Sequence, residues 1–149
     1  MKSLTTVIQD SSQRRLVVDA TVQLIDQQVS NKGGLTGIAL KTGYKVVQKL
    51  KDGKMIADSV DGLLDEFVGA VEPLHQEFAA AGAHGGFGSF LTARADRAAN
   101  ALLSITDSRA RRTSHQVLRK TYEQLRPTGE KHVKEALPAL GAMIDRFTK

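Results

Sequence analysis

Four histidines and a set of carboxylates are the residues most able to carry chemistry here, because the chain contains no cysteine. Thiolate catalysis, disulfides and cysteine-ligated zinc are thereby excluded. Glu72 and His75 have the Glu-x-x-His spacing found in carboxylate-bridged di-iron bundles. Such centres need a second Glu-x-x-His motif, and the sequence has none. We therefore expect no metal and no cofactor, and we expect His75 to be a partly buried structural residue.

Two glycine-rich segments, residues 32–37 (KGGLTG) and 84–88 (HGGFG), could be taken for phosphate-binding loops. The first lacks the Gly-Lys-Ser/Thr ending of a Walker A loop, and neither follows a predicted strand. No serine lies in a Gly-x-Ser-x-Gly setting. We interpret both segments as connectors between helices and predict that the chain is not an enzyme.

The charged residues are segregated along the chain, although the net charge is only +5. Residues 32–54 carry six lysines and one aspartate, and residues 55–78 carry six acidic residues and no basic one. A nucleic-acid-binding protein usually shows one coherent basic face, so these alternating patches argue against that function. Weak nucleic-acid binding stays open as an alternative, through one basic helix face and one arginine cluster. Its candidate residues are Lys41, Lys45, Lys49, Arg109, Arg111 and Arg112.

The acidic segment suggests a surface for a protein partner. Gly62 and Gly69 project from the same side of the predicted helix as two aspartates, and each glycine costs about 1 kcal/mol relative to alanine. A helix from this chain or from a partner could approach closely there and pair its basic groups with the carboxylates. The candidate partner-binding residues are Asp58, Asp61, Gly62, Asp65 and Gly69.

The elements that would position these residues are helices. Hydrophobic residues make up 41% of the chain and recur at three- and four-residue spacing, while no segment alternates with period two. We expect one all-α domain over residues 1–149, a compact bundle of about six helices. Two related three-helix halves are an economical interpretation, at residues 1–81 and 87–149 with a glycine-rich hinge at 82–88.

Two helices carry predictions about their faces. The helix over about residues 55–81 has an apolar stripe from Ile56 to Phe78, and Pro73 predicts a kink or a restart within it. Pro138 predicts a bend in the last helix. The helix after Thr36 has a predicted buried line at Ala39, Gly43, Val46 and Leu50, with Tyr44 and Val47 beside it.

A protein-binding or structural module is the function that these patterns favour most. A small-molecule or lipid pocket between the two halves is a further alternative. It would be gated by the glycine-rich loop and lined by Phe67, Phe78, Phe87 and Phe90. Neither a signal peptide nor a run of about 20 apolar residues is present, so we expect a cytoplasmic protein.

Four motifs resemble a family of small bacterial proteins described only as a domain of unknown function. They are KGGLTG-x-A-x-K-x-x-Y at 32–44, DGLL at 61–64, FG-x-FL at 87–91 and ALL-x-x-TD-x-RA at 101–110. The likeness spans nearly the whole chain. It implies a bacterial origin and a single helical domain, and it implies no activity, cofactor or binding residue.

Overall fold

Helices form wherever the apolar residues recur at helical spacing, and the chain contains no strand. The computed structural model describes residues 1–149. Its eight α-helices are α1 (Leu4–Gln9), α2 (Ser11–Ser30), α3 (Gly34–Gln48), α4 (Met55–Ala80), α5 (Phe87–Ala93), α6 (Ala95–Arg112), α7 (Gln116–Leu125) and α8 (Gly129–Thr148). Short 3-10 turns at Leu50–Gly53 and Arg126–Thr128 precede α4 and α8. The predicted all-α bundle is confirmed. None of its helices combines the length and apolar character that crossing a membrane requires.

The bundle has eight α-helices where about six were predicted, because Asp10 and Arg94 leave the helical conformation and separate two short helices from their longer neighbours. Asp10 leaves the helical conformation after α1, and its carboxylate accepts the amides of Ser12 (2.9 Å) and Gln13 (3.2 Å) at the start of α2. Arg94 interrupts the predicted fourth helix with φ −122° and ψ 40°, so α5 and α6 are distinct. Each half of the chain therefore contains four helices rather than three.

Pro73 and Pro138 both lie inside helices that continue past them. Most of the apolar stripe of α4 is buried as predicted, with Ile56 and Phe67 half-buried, and α4 runs unbroken through Pro73. The proline ring removes the donor that would bond to the carbonyl of Gly69, and Gly69 is exposed, so water can satisfy that carbonyl. Pro138 likewise lies within α8. The helix therefore does not restart at Pro73, whereas the kink predicted there and the bend predicted at Pro138 stay predictions.

The predicted face of α3 was wrong at Ala39 and Val46, although Gly43 does pack against α7 and Val47 is buried. Ala39 and Val46 are exposed, whereas Gly37 and Val47 are buried. Apolar residues lie around most of this helix, so periodicity alone does not select a face. Two close approaches select it: a Cβ at Gly37 would lie 2.7 Å from the carbonyl carbon of Lys32, and one at Gly43 would lie 3.0 Å from side chains of α7.

One apolar core joins the two proposed halves. Leu74 and Phe78 of α4 pack with Phe87 and Leu91 of α5 and with Leu137 of α8, and each is almost fully buried. Within each half, the order is a short helix, a long one, an intermediate one and a long one. The helix pairs α2–α4 and α6–α8 pack in corresponding positions, and α3 packs against α7.

Equivalent hydrogen bonds fix the first residue of each short helix. The amide of Leu4 donates to Glu72 Oε2 at 2.9 Å, and the amide of Phe87 donates to Asp145 Oδ2 at 3.1 Å. In both cases the acceptor lies on the last helix of the same half. The amide of Lys2 also donates to the carbonyl of Thr148 at 2.8 Å, so the two ends of the described chain are bonded together.

Helix α5 crosses α8 at a distance that only glycines permit. A Cβ on Gly141 would lie 2.1 Å from the amide nitrogen of Gly88, and a Cβ on Gly88 would lie 2.7 Å from the carbonyl oxygen of Pro138. Both glycines are buried. This backbone contact brings Phe87 and Leu91 into the core.

Candidate functional site

A cavity of about 420 Å³ lies within the bundle, bounded by α1, α2, α3, α4, α6 and α8. Of its 26 lining residues, 21 are hydrophobic, including Phe67 and Phe147. The cavity is partly open to solvent. Its size falls in the range of roughly 300–1,000 Å³ that small-molecule pockets occupy. Its walls can therefore accept an apolar molecule, and they offer little to a strongly polar one.

Two of the five polar residues in the wall have their hydroxyl groups engaged by their own helices. Thr21 Oγ1 donates to the carbonyl of Val17 at 2.7 Å, and Thr106 Oγ1 donates to the carbonyl of Leu103 at 3.1 Å. Because both hydroxyl groups are already hydrogen-bonded, these two threonines add little polar character to the cavity wall. The other three polar lining residues are Gln28, Lys32 and His132.

Lys32 and His132 form a polar corner of the cavity together with Glu135. The side chain of Lys32 is only 10% exposed, and its Nζ lies 3.6 Å from Glu135 Oε2. His132 Nδ1 lies 3.7 Å from the other carboxylate oxygen of Glu135, and neither ring nitrogen has a hydrogen-bond partner. A buried imidazole without a partner can both donate to and accept from an oxygen-bearing group.

The charge state of His132 follows from its surroundings. Burial lowers the pKa of His132, and the neighbouring positive charges of Lys32 and Lys131 lower it further, while Glu135 opposes them. The imidazole is therefore neutral at pH 7. A neutral ring suits hydrogen bonding to an uncharged or anionic oxygen, and Lys32 supplies the positive charge of this corner.

The predicted aromatic lining was wrong for three of its four residues. Phe67 lines the cavity, but Phe78, Phe87 and Phe90 pack against one another with ring centroids 5.2–6.0 Å apart. His75 completes this cluster, 4.9 Å from the ring of Phe87. The hinge predicted at residues 82–88 ends in α5, which begins at Phe87. The loop before α5, residues 81–86, adjoins this cluster rather than the cavity, because α5 packs directly on α8.

His75 and Glu72, which share the di-iron spacing, have structural positions. His75 is 2% exposed, and burial lowers its pKa although Glu72 and Asp145 act to raise it. The Glu72 carboxylate accepts the amide of Leu4. His75 is therefore part of the apolar core, and Glu72 holds the start of α1.

The predicted partner-binding residues lie on the exposed side of α4. Arg14 of α2 donates to Asp61 Oδ1 at 3.0 Å and to Asp65 Oδ1 at 3.1 Å, so an arginine of this chain pairs with two of the carboxylates. Asp58 is exposed, and a Cβ at Gly62 or Gly69 would meet no atom within 4 Å. A partner at the two glycines stays a prediction.

The basic residues considered for nucleic acid fall on separate helices. Lys45 and Lys49 are exposed at the end of α3, and Lys41 is half-buried. Arg109, Arg111 and Arg112 occupy the last turn of α6, as expected for cations near a helix C-terminus. Arg112 lies 3.8 Å from Glu66, which neutralises part of this cluster.

A polar network that the sequence did not suggest joins α6 to α7. Asp107 accepts from Arg126 Nε at 2.8 Å and from the hydroxyl of Tyr122, and the hydroxyl oxygens of Tyr122 and Thr106 lie 2.8 Å apart. Burial, followed by the hydrogen bond to Asp107, raises the pKa of Tyr122 to about 12. Tyr122 therefore stays protonated, and the network braces the wall that holds Thr106.

The whole of this bundle corresponds to one family. A family model matches residues 4–148, from the first residue of α1 to the last of α8. The chain belongs to DUF6918, a family of unknown function. No curated protein and no solved structure matches it. DUF6918 carries no named activity, and the bacterial origin of this DUF6918 protein stays a prediction.

Proposed function

We propose that this protein is a non-enzymatic binding protein whose cavity holds the apolar part of a small amphipathic molecule. The observation that supports this most directly is the cavity of about 420 Å³ with 21 hydrophobic residues among its 26 lining residues. An apolar protein cavity of about 150 Å³ is sufficient to bind benzene. A cavity nearly three times larger accommodates a fused aromatic system or a folded alkyl chain.

The polar corner favours one orientation of an amphipathic ligand in the cavity. Water makes few hydrogen bonds against apolar walls, so hydrocarbon is the favoured occupant of the main volume. Lys32 and His132 line one end of the cavity, so an oxygen-bearing group of a ligand at that end would lie beside their side chains. The ligand therefore combines a hydrocarbon body with one oxygen-bearing end, as in long-chain alcohols and acids.

A fluorescence titration with the neutral apolar probe N-phenyl-1-naphthylamine tests this function. We expect saturable enhancement that a long-chain alcohol or acid displaces. Ala136 lies in the cavity wall, so Ala136→Phe should weaken probe binding by about tenfold or more by filling the site. Ala79 is exposed on α4 and outside the cavity, so Ala79→Phe is the matched control and should bind normally.

Two results would contradict the proposal. One is the absence of saturable probe binding to the wild-type chain. The other is equal probe affinity in the Ala136→Phe and wild-type proteins when both are folded by circular dichroism. A bound ligand at about 100 times its Kd should also stabilise the wild-type fold by about 2.7 kcal/mol, which thermal unfolding measures independently.

A protein-binding role is the second candidate function. It is supported by the exposed acidic side of α4, where Gly62 and Gly69 leave open space beside carboxylates. We further propose a cytoplasmic location, since a chain without cysteine suits a reducing compartment.

A further inference from the structure

The outward side of α3 carries large apolar side chains that no other part of the chain covers. Leu35, Ile38 and Val46 are 87%, 62% and 41% exposed. They are three of only six exposed large hydrophobic side chains in the protein, so this exposure is concentrated on one helix. Scattered exposed apolar residues need no explanation, but a concentration of them indicates an interaction surface.

Lysines are interleaved with these apolar residues. At about 100° per residue, Lys45 and Lys49 fall in the same arc of about 100° as the three apolar side chains. We name this set, Leu35, Ile38, Lys45, Val46 and Lys49, the α3 outer face. Lys51 and Lys54 follow it in the turn before α4, and both are exposed.

The lysines of this region have no acidic partner within the protein. None of Lys41, Lys45, Lys49, Lys51 and Lys54 takes part in an ion pair. Elsewhere in the bundle, arginines such as Arg14 and Arg97 pair with carboxylates of neighbouring helices. The charge beside the α3 outer face is therefore available to an external anionic surface.

The bundle fixes this face outward. Gly37 meets the backbone of Lys32, and Gly43 meets Thr121 and Leu125 of α7, at distances that leave no room for a Cβ without movement of the neighbours. Rotating α3 to bury Leu35 and Ile38 would turn side chains into these close approaches. The α3 outer face is therefore set by packing on the opposite side of the helix.

The combination of apolar and basic residues selects the partner. A symmetric dimer through this face would bring like charges together, and a nucleic acid would engage the lysines while leaving the apolar side chains in water. A bilayer with anionic lipids accommodates both the apolar and the basic side chains. The apolar side chains enter the boundary between headgroups and acyl chains, while the lysines stay among the phosphates. We propose that the α3 outer face docks this protein on the surface of an anionic lipid bilayer.

Co-sedimentation of the full chain with lipid vesicles tests the proposal. We expect binding to phosphatidylcholine vesicles that contain about 30% phosphatidylglycerol, little binding to phosphatidylcholine alone, and loss of binding as salt increases. The variant Lys45→Gln with Lys49→Gln should weaken partitioning by about 30-fold, since each lysine near the surface contributes about fivefold. Leu35→Ser with Ile38→Ser should weaken it by about tenfold or more.

Matched controls use exposed residues on other helices. Lys120→Gln with Lys131→Gln removes the same charge. Leu16→Ser with Val117→Ser removes two apolar side chains that are 52% and 44% exposed on other helices. Both control variants should bind vesicles like the wild type. All four pairs lie on the surface, so unfolding in urea should confirm that they fold. Probe binding in the cavity should be unchanged in all of them, which separates this proposal from the proposed function.

Four outcomes would overturn the proposal. They are no binding to anionic vesicles at low salt, equal losses in control and α3 variants, tighter binding to duplex DNA that depends on the lysines alone, and a dimer that Leu35→Ser with Ile38→Ser dissociates. The third would assign the face to nucleic acid, and the fourth to a second copy of the chain.

Discussion

Replacing Gly141 by alanine should destabilise the protein strongly, because the new methyl group would collide with backbone rather than with a movable side chain. The Cβ would lie 2.1 Å from the amide nitrogen and 2.2 Å from the Cα of Gly88, and 2.7 Å from the carbonyl carbon of Phe87. Favourable carbon contacts lie at about 3.5–4.0 Å, so α5 must retreat by roughly 1.5 Å. That retreat loosens Phe87 and Leu91, which are 0% and 1% exposed.

The magnitude follows from two opposing effects. An alanine in a helix gains about 0.5–1 kcal/mol over glycine through the entropy of the unfolded chain. Overpacking a core by a methylene costs about 1–3 kcal/mol when side chains can adjust, and here two helix backbones must separate. We therefore expect a net loss of about 3 kcal/mol or more, which lowers Tm by about 6–12 °C in a domain of this size.

Urea unfolding of matched variants measures this loss. Gly62 lies in the interior of α4 with no atom within 4 Å of its Cβ position, so Gly62→Ala should gain about 0.5–1 kcal/mol by the same entropic effect. The two substitutions are chemically identical and should move the urea midpoint in opposite directions. A Gly141→Ala protein as stable as the wild type would refute the close crossing of α5 and α8.

Three further predictions concern buried polar groups and the surface of α4. Asp145→Ala should cost about 1–3 kcal/mol in urea unfolding, because the buried amide of Phe87 loses its acceptor, whereas Asp145→Asn should cost less; equal losses would contradict that role. Burial lowers the pKa of His75, so below about pH 6.5 the unfolded chain binds a proton more readily than the folded protein does. The free energy of unfolding therefore decreases as the pH is lowered. At about pH 5.5 this loss reaches up to about 1.4 kcal/mol, and a His75→Leu variant whose urea midpoint falls as steeply would contradict the assignment. Gly62→Leu with Gly69→Leu should abolish association with a protein partner, and an unchanged assembly state and unchanged stability would exclude these glycines as a contact.

The fold class and the core of α4 could be predicted from sequence because a long helix with one apolar face has a single way to bury it. Val60, Leu64, Val71 and Phe78 all lie in the predicted stripe and are buried. The face of α3 could be predicted only in part, at Gly43 and Val47. Apolar residues surround that helix, and its orientation depends on what Gly37 and Gly43 meet on other segments.

The cavity could not be predicted because no residue type marks an unfilled volume. Its wall combines six helices, and its polar corner joins Lys32 to His132, which are a hundred positions apart in the sequence. The sequence did suggest a pocket of this chemical kind, and it placed the pocket at the phenylalanine cluster. Those rings interlock with His75 instead, since α5 approaches α8 closely enough to leave no space between them.

The hydrogen bond between Lys2 and Thr148 holds the two ends of the described chain next to each other. A short linker could join the two ends without disturbing any helix. New ends could then be opened in the exposed glycine-rich loop between α4 and α5, where Gly82, Gly85 and Gly86 have positive φ. Such a permuted protein would begin with the second four-helix unit and keep the same interior.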